Sequence, residues 1–306
     1  MEMSVVINQM IVIFIMLLVG LLCAKLGLID ADFKKKLSVI VLNVAQVAAI
    51  LGAGMSVESD IHAGKLFGIV GVSFVMQALL YGLSFLYNFV LRVPKAERGT
   101  YQFMSTFNNV AFMGFPIVSA LLGPEALFYN SLFNIPFYLV SYSLGVVMIS
   151  GKSAGALKPK TVLLCPPLIA ALIAAVIVLV KIPFPAPVVT AATTLGNMTT
   201  PGAMLIIGAS LGQMSLKEVF GDWRAYAYAV VKLISGPVVC WAVLRLFVTD
   251  PLVLKLAVIL AAMPSAMNAT MMALQFGGHE KVASRGVFIT TILSLATIPL
   301  MVFLLI

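Results

Sequence analysis

The charged residues of this chain are confined to short clusters, and ten nearly uncharged apolar stretches lie between them. These stretches centre near residues 4–24, 37–55, 67–91, 102–122, 126–149, 161–180, 188–212, 225–244, 256–276 and 286–306. A helix needs about 20 apolar residues to cross the hydrocarbon core of a bilayer. With 62% hydrophobic residues and a mean hydropathy of +1.12, the chain is predicted to be an all-α polytopic membrane protein with ten transmembrane helices. Helices suit lipid because they satisfy their own backbone polar groups.

Lysine and arginine are unevenly divided between the predicted loops. Fourteen of the 19 follow odd-numbered helices, four follow even-numbered ones, and Lys232 lies inside a helix. Short cytoplasmic loops carry the lysine and arginine excess, so both termini are predicted to be extracytoplasmic, in a plasma (bacterial inner) membrane. The net charge of +8 then reflects orientation in the lipid bilayer and not nucleic-acid binding, because no soluble basic domain is left over.

The second half of the chain weakly repeats the first at a spacing of 154 residues. At this spacing Asn43 coincides with Asn197, and helices one to five coincide with helices six to ten. Five is an odd number, so the second set enters the membrane from the opposite side. The sequence therefore predicts two inverted five-helix repeats at 1–150 and 161–306, joined by a cytoplasmic linker at 151–160. Many secondary transporters share this architecture.

The fourth and ninth helices each carry a proline near mid-membrane, with asparagine and glycine close by. Proline removes a backbone donor, and broken helices at matching repeat positions are the best sequence indication of a transport site. Half-helix N-termini suit an anion. The predicted substrate-binding residues are Asn108, Asn109, Gly114, Pro116, Lys232, Pro264 and Asn268. The alternative is a pair of kinks that only shape packing, with asparagines capping the freed groups.

Lys232 is the one ionisable residue deep in a predicted helix, where a lysine costs about 2.5–3.5 kcal/mol on insertion scales. It is either a counter-charge for an anionic substrate or a structural lysine bonded to freed carbonyls. No carboxylate lies at this depth, so proton coupling would use the substrate or Lys232, whereas backbone carbonyls and amides could hold sodium. The coupling ion, Na+ or H+, stays open. Supporting positions are Gln46, Gln77, Asn43, Asn197 and Pro201.

Several other classes of site are not expected. The chain has no G-x-x-x-x-G-K-[ST] run for ATP, and no predicted helix places a nucleophile beside a base. Its two histidines, His62 and His279, lie at distant helix ends. We therefore predict no metal site, no cofactor and no enzymatic activity.

Four stretches carry a family resemblance, and they occur in order along the chain. They are N-N-V-A-F-M-G-F-P-I at 108–117, M-T-T-P-G-A-M-L-I-I-G-A-S-L at 198–211, K-L-I-S-G-P at 232–237 and A-A-M-P-S-A-M-N-A at 261–269. Together they resemble the signatures of the auxin efflux carrier (PIN-like) family. The resemblance is closest to its bacterial members, which are linked to malonate, malate and similar organic acids.

The resemblance implies a fold similar to sodium/proton antiporters and bile-acid symporters. Helices four and nine would cross at Pro116 and Pro264. Helices 1, 2, 6 and 7 would form a scaffold that also makes a homodimer, and helices 3–5 and 8–10 a mobile transport bundle. The chain departs from the family at Gln46-Val47, where the second helix usually carries Leu-Pro. Loss of that proline predicts a straighter second helix, whereas Pro201 keeps its equivalent in the other half.

The leading hypothesis is a secondary active carrier for a small organic anion, with elevator-type alternating access. Its substrate would be a mono- or dicarboxylate such as malonate, malate or an auxin-like acid. Two alternatives stay open: a sodium- or proton-coupled transporter of bile-acid-like or cationic substrates on the same fold, and a membrane receptor or channel that does not turn over. The sequence determines neither the substrate nor the direction of flux.

Overall fold

The computed structural model describes residues 3–57, 61–151, 166–213 and 222–306, and these residues are predominantly helical. Within the described ranges, an isolated antiparallel bridge is the only β pairing, and turns and loops connect the helices. The predicted linker at 151–160 lies outside them, apart from Gly151.

The helices fall into two groups along the chain. The first group is α1 (Met3–Lys25), α2 (Ala31–Ile40), α3 (Gln46–Met55), α4 (Ala63–Val90), α5 (Arg98–Thr106), α6 (Gly114–Ser141) and α7 (Leu144–Ser150), with a π-helical turn at Val41–Ala45. The second group is α8 (Pro166–Val180), α9 (Ala186–Gly196), α10 (Thr199–Gln213), α11 (Trp223–Leu244), α12 (Pro251–Ala261), α13 (Asn268–Phe276) and α14 (Glu280–Leu305). Each predicted apolar stretch thus overlaps one helix or two consecutive helices.

Helix length decides which of these elements could cross a bilayer alone. Within the described ranges, four helical runs are long and apolar enough: Ala31–Met55, α4, α11 and α14. The second part of α6 and α7, bent by 42°, make a fifth if they are taken as one span. The protein is therefore an all-helical, membrane-embedded chain, and its division into ten inverted spans remains a prediction.

Irregular backbone recurs at the spacing of the sequence repeat. Gly123 interrupts α6 with a φ of 82°, and Gly277 ends α13 with a φ of 79°. These two glycines lie 154 residues apart, and positive φ favours glycine. In the same way, the π-helical turn at Val41–Ala45 corresponds to the break between α9 and α10 at 197–198. The recurrence supports a structural repeat, whereas its inversion in the membrane stays a prediction.

The second apolar stretch runs as a continuous helix from Ala31 to Met55. Asn43 lies in its π-helical turn, and Gln46, which is 1% exposed, begins α3. The position where the family places a proline is therefore helical in this chain. The irregularity of this helix lies before Gln46, in the wider turn.

The helices form two compact units, which are interleaved in sequence. The first unit comprises the described parts of 1–70, 111–135 and 163–214. Here α1 lies along α10, and α3 packs on α8 and α9. Gly20 faces the backbone of Leu205, where a Cβ would come within 2.5 Å of the carbonyl oxygen, so only glycine permits this approach. Small residues allow such close packing of helices in lipid.

The second unit comprises the described parts of 71–110, 136–162 and 215–306. Helix α11 packs on α12 and α14, α13 packs on α14, and α5 packs on α7. Its core contains the fully buried Tyr228 and the almost fully buried Lys232. Assignment of the helices to a scaffold and a mobile bundle remains a prediction.

Candidate functional site

Both helix breaks predicted from the prolines are present. The first separates α5, which ends at Thr106, from α6, which begins at Gly114. The backbone turns extended at Phe107, with φ −107° and ψ 110°. The second break separates α12, which ends at Ala261, from α13, which begins at Asn268. Each break frees N–H and C=O groups that an unbroken helix would have paired.

Backbone groups freed at the two breaks pair with each other in a short antiparallel bridge between Asn108 and Ser265. The Asn109 N–H donates to the Pro264 carbonyl at 2.8 Å, and the Ala266 N–H donates to the Phe107 carbonyl at 2.9 Å. Both hydrogen bonds lie within the second unit. The pairing explains how irregular backbone persists in an apolar interior, where an unpaired polar group is costly. We call the paired segments Phe107–Asn109 and Pro264–Ala266 the crossover.

Both the nitrogen and the oxygen of the Asn108 side-chain amide form hydrogen bonds at the crossover. Its Nδ2 donates to the carbonyls of Leu260 and Ala261 at 2.9 and 3.0 Å. These carbonyls belong to the last turn of α12, where the helix supplies no partners of its own. Asn108 is 2% exposed, so its amide replaces the water that would otherwise bind this helix end.

Lys232 provides the charge at the crossover. Its Nζ donates to Asn108 Oδ1 at 2.6 Å and to the Met263 carbonyl at 3.1 Å, and the residue is 1% exposed. The ammonium lies beside the C-terminal end of α12, where the helix dipole favours a cation. Among the described residues Lys232 has no carboxylate partner. The structure therefore favours the carbonyl-bonded interpretation of Lys232 over direct binding of a substrate.

A hydroxyl cluster supports the second break, and the sequence reasoning missed it. Tyr228 Oη lies 3.2 Å from Ser265 Oγ and accepts from Ser105 Oγ at 3.4 Å. The Ser265 N–H donates to Thr290 Oγ1 at 3.2 Å. Tyr228 precedes Lys232 by four residues, which places both on one helix face. That spacing was the available sequence signal for Tyr228.

Some of the remaining predicted site residues lie in the crossover and others lie outside it. Pro116 is the third residue of α6, in a first turn that needs no donor, so the break precedes it. It also belongs to the first unit with Gly114, not to the crossover. Asn109 and Pro264 meet in the crossover through their backbones. Asn268 begins α13, and its buried Oδ1 has no hydrogen-bond partner within the described ranges.

The supporting residues do not gather at the crossover. Gln46, Asn43, Asn197 and Pro201 belong to the first unit. Gln77 belongs to the second unit and is 5% exposed, with a buried Oε1 that has no partner in the described part of the chain. The structure records no hydrogen bond between Gln77 and Lys232, and the supporting role of Gln77 stays a prediction.

Comparison with known proteins agrees with this architecture. The profile of the family "Membrane transport protein" matches residues 5–302. The protein of Rhizobium meliloti named "Putative malonate transporter" is 25% identical over 258 residues, which cover 81% of this chain and 79% of the relative. An uncharacterized transporter of Methanocaldococcus jannaschii is 22% identical over 96% of both chains, and one of Methanothermobacter thermautotrophicus is 24% identical over 94% of both. The chain thus belongs to the membrane transport protein family and is a transporter, not an enzyme.

Proposed function

We propose that this protein is a secondary active carrier for a small organic anion, a mono- or dicarboxylate such as malonate, malate or an auxin-like acid. The coupling ion is Na+ or H+. Transport proceeds by elevator-type alternating access, in which the crossover moves with the helices that bear it.

The observation that carries this proposal is the buried, uncompensated charge of Lys232. An ammonium removed from water is costly unless an opposite charge or several dipoles face it. Here two oxygen dipoles face it, and no described carboxylate does. The positive charge attracts an anionic substrate and repels a cationic one, and this effect needs no direct contact between Lys232 and the substrate. This asymmetry favours the anion over the cationic alternative.

Movement of the crossover as one body is supported by its internal hydrogen bonds. The Asn108, Lys232 and Asn109 contacts described above all lie within the second unit. None of these hydrogen bonds needs to break when the crossover moves with this unit. A rigid carrier element of this kind suits alternating access around a fixed site.

The substrates to test first follow from the resemblance and from the relative. A relative at 25% identity bears the name of a malonate transporter, which makes malonate the first candidate. Purified protein in liposomes should take up labelled malonate or malate at least about tenfold faster than empty liposomes. Indole acetate tests the auxin-like class. Repeating uptake with imposed Na+ and pH gradients identifies the coupling ion.

Two variants connect this activity to the crossover. Asn109→Ala and Lys232→Ala should each lower malonate uptake, because the first removes the amide side chain of a crossover residue and the second removes the charge. The proposal fails if the wild-type protein moves none of the acids in either direction and neither variant changes ligand binding. Single-channel current steps would instead support the channel alternative.

The arrangement in the membrane is part of the same proposal. We infer extracytoplasmic termini, a plasma-membrane location and a homodimer formed through helices of the predicted scaffold. Single cysteines placed at residue 3 and at the end of the chain should react with an impermeant thiol reagent added outside intact cells. Labelling only after the cells are opened would reverse the orientation.

A further inference from the structure

A cavity of about 200 Å³ lies in the first unit, separate from the crossover residues. Small residues of α3 and α9 form much of its wall, among them Ala49, Gly52, Ala53 and Gly196. No residue that lines it carries a formal charge. Its volume equals about seven water molecules at roughly 30 Å³ each. The cavity therefore has room for a small polar molecule.

The N-terminus of α10 opens onto this cavity. Thr199 and Thr200 begin this 15-residue helix, and both line the cavity. Backbone N–H groups in a first helical turn have no carbonyl of their own helix to bind. In α10 this leaves the N–H groups of Thr199 and Thr200, because Pro201 has none and the Gly202 N–H donates to the Met198 carbonyl at 3.0 Å. Together they carry a partial positive charge, which favours anions. The helix end thus supplies donors and a field of the sign that a carboxylate needs.

The side chain of Thr199 provides independent evidence for a ligand. Thr199 is 4% exposed, and its Oγ1 has no hydrogen-bond partner in the described part of the chain. Buried hydroxyls in native proteins nearly always have a partner. Thr193 lines the same cavity, but its hydroxyl has partners. Its Oγ1 donates to the carbonyls of Val189 and Thr190 at 2.9 and 3.0 Å. The Thr199 hydroxyl therefore keeps unused hydrogen-bonding capacity in a residue of the cavity wall.

We propose that this cavity binds the carboxylate group of a small organic anion, with the Thr199 hydroxyl and the backbone N–H groups of Thr199 and Thr200 as donors. The inference rests on the proposed function, and it assigns the substrate a binding site in the first unit. Pockets for drug-sized ligands have volumes of about 300–1,000 Å³, so this one suits a small acid. Malonate fits the space.

The test uses two matched variants of the full-length protein. Thr199→Val and Thr193→Val make the same substitution in the same cavity, but only the first removes a hydroxyl without a partner. Malonate affinity is measured by calorimetric titration of the purified protein, and malonate uptake is measured in liposomes. We expect Thr199→Val to weaken malonate binding about tenfold, as loss of one hydrogen bond to a charged group does. We expect Thr193→Val to change it less than about twofold.

A third variant tests the space itself. Ala53→Leu places a larger side chain on the wall and should abolish malonate binding and uptake. Its melting temperature, compared with that of Thr193→Val, shows whether the variant is folded. If it is not, Thr199→Val decides the question alone.

The possible results distinguish failure of the proposed binding site from failure of the proposed carrier function. If malonate is transported but Thr199→Val binds it as well as Thr193→Val does, the cavity is not the substrate site and the carrier proposal stands. If the wild-type protein neither binds nor moves any of the acids, both proposals are wrong.

Discussion

The crossover and the cavity differ in whether their buried polar groups have hydrogen-bond partners. At the crossover, Asn108 and Lys232 are joined to each other and to the ends of the broken helices. At the cavity, Thr199 is as deeply buried but has no partner within the described residues. The hydrogen bonds of the crossover cluster stabilise irregular backbone, whereas a donor without a partner on a cavity wall favours a ligand. The sequence motifs predict a binding site at the crossover, whereas this contrast favours the cavity.

The largest expected effect is on stability at the crossover. Asn108→Ala leaves the Lys232 ammonium with a single carbonyl and removes the amide donor from the carbonyls of Leu260 and Ala261. Removing one partner of a buried charge costs about 3–5 kcal/mol, so we expect a loss near the lower end of this range in the free energy of unfolding. The measurement is chemical denaturation of the purified protein in detergent.

Two further variants control that measurement. Asn268→Ala removes an amide oxygen that has no described partner, and it should cost less than about 1 kcal/mol. In a Lys232→Met background, Asn108→Ala should cost less than it does alone, because the charge that depends on Asn108 is gone. Equal costs in the two backgrounds would show that the two side chains are not coupled.

An intermediate effect is expected at the hydroxyl cluster. Tyr228→Phe removes the phenol that lies beside Ser265 and Ser105. Hydrogen bonds between membrane helices contribute about 0.6 kcal/mol each, with about 1.7 as the largest value found, so the unfolding free energy should fall within that range. Tyr81→Phe is the control, since no hydrogen bond is recorded for the Tyr81 hydroxyl. A loss above about 3 kcal/mol would mean that the phenol does more than support the break.

The smallest expected effect concerns Gln46 in the first unit. Its Nε2 is buried without a partner in the described ranges, and the side chain is 1% exposed. Replacing a buried unpaired polar group by an apolar one of similar size is neutral or stabilising. Gln46→Leu should therefore leave the unfolding free energy unchanged or raise it by up to about 1 kcal/mol. A clear loss in a thermal melt would reveal a partner of Gln46 and weaken the contrast between the two regions.

Sequence reasoning could predict the breaks but not their contacts. A proline with neighbouring asparagine, at matching positions of two repeats, indicates irregular backbone whatever the tertiary structure is. The partners of Asn108 lie more than 120 residues away, so they depend on how helices pack. Lys232 illustrates this limit, because the choice between a substrate contact and a carbonyl contact needed the position of Met263.

The cavity could not be predicted for a related reason. Its wall combines Ala49, Gly196 and Phe115, which come from three separate segments. None of these residue types signals chemistry in a linear sequence. The threonines at the start of α10 form part of a recognised motif, but only the structure distinguishes the bonded hydroxyl of Thr193 from the unbonded one of Thr199.

The wide turn at Val41–Ala45 has a consequence for evolution of specificity. A π-helical turn holds one residue more than an α-helical turn, and one residue rotates the following helix by about 100° about its axis. The number of residues in this turn therefore sets which side of α3 faces the cavity, which here is the side of Ala49, Gly52 and Ala53. Insertion or deletion of one amino acid in this turn would replace that wall with the neighbouring side of α3. Ligand preference in this family could then change by chain length alone, without substitution of any residue that meets the ligand.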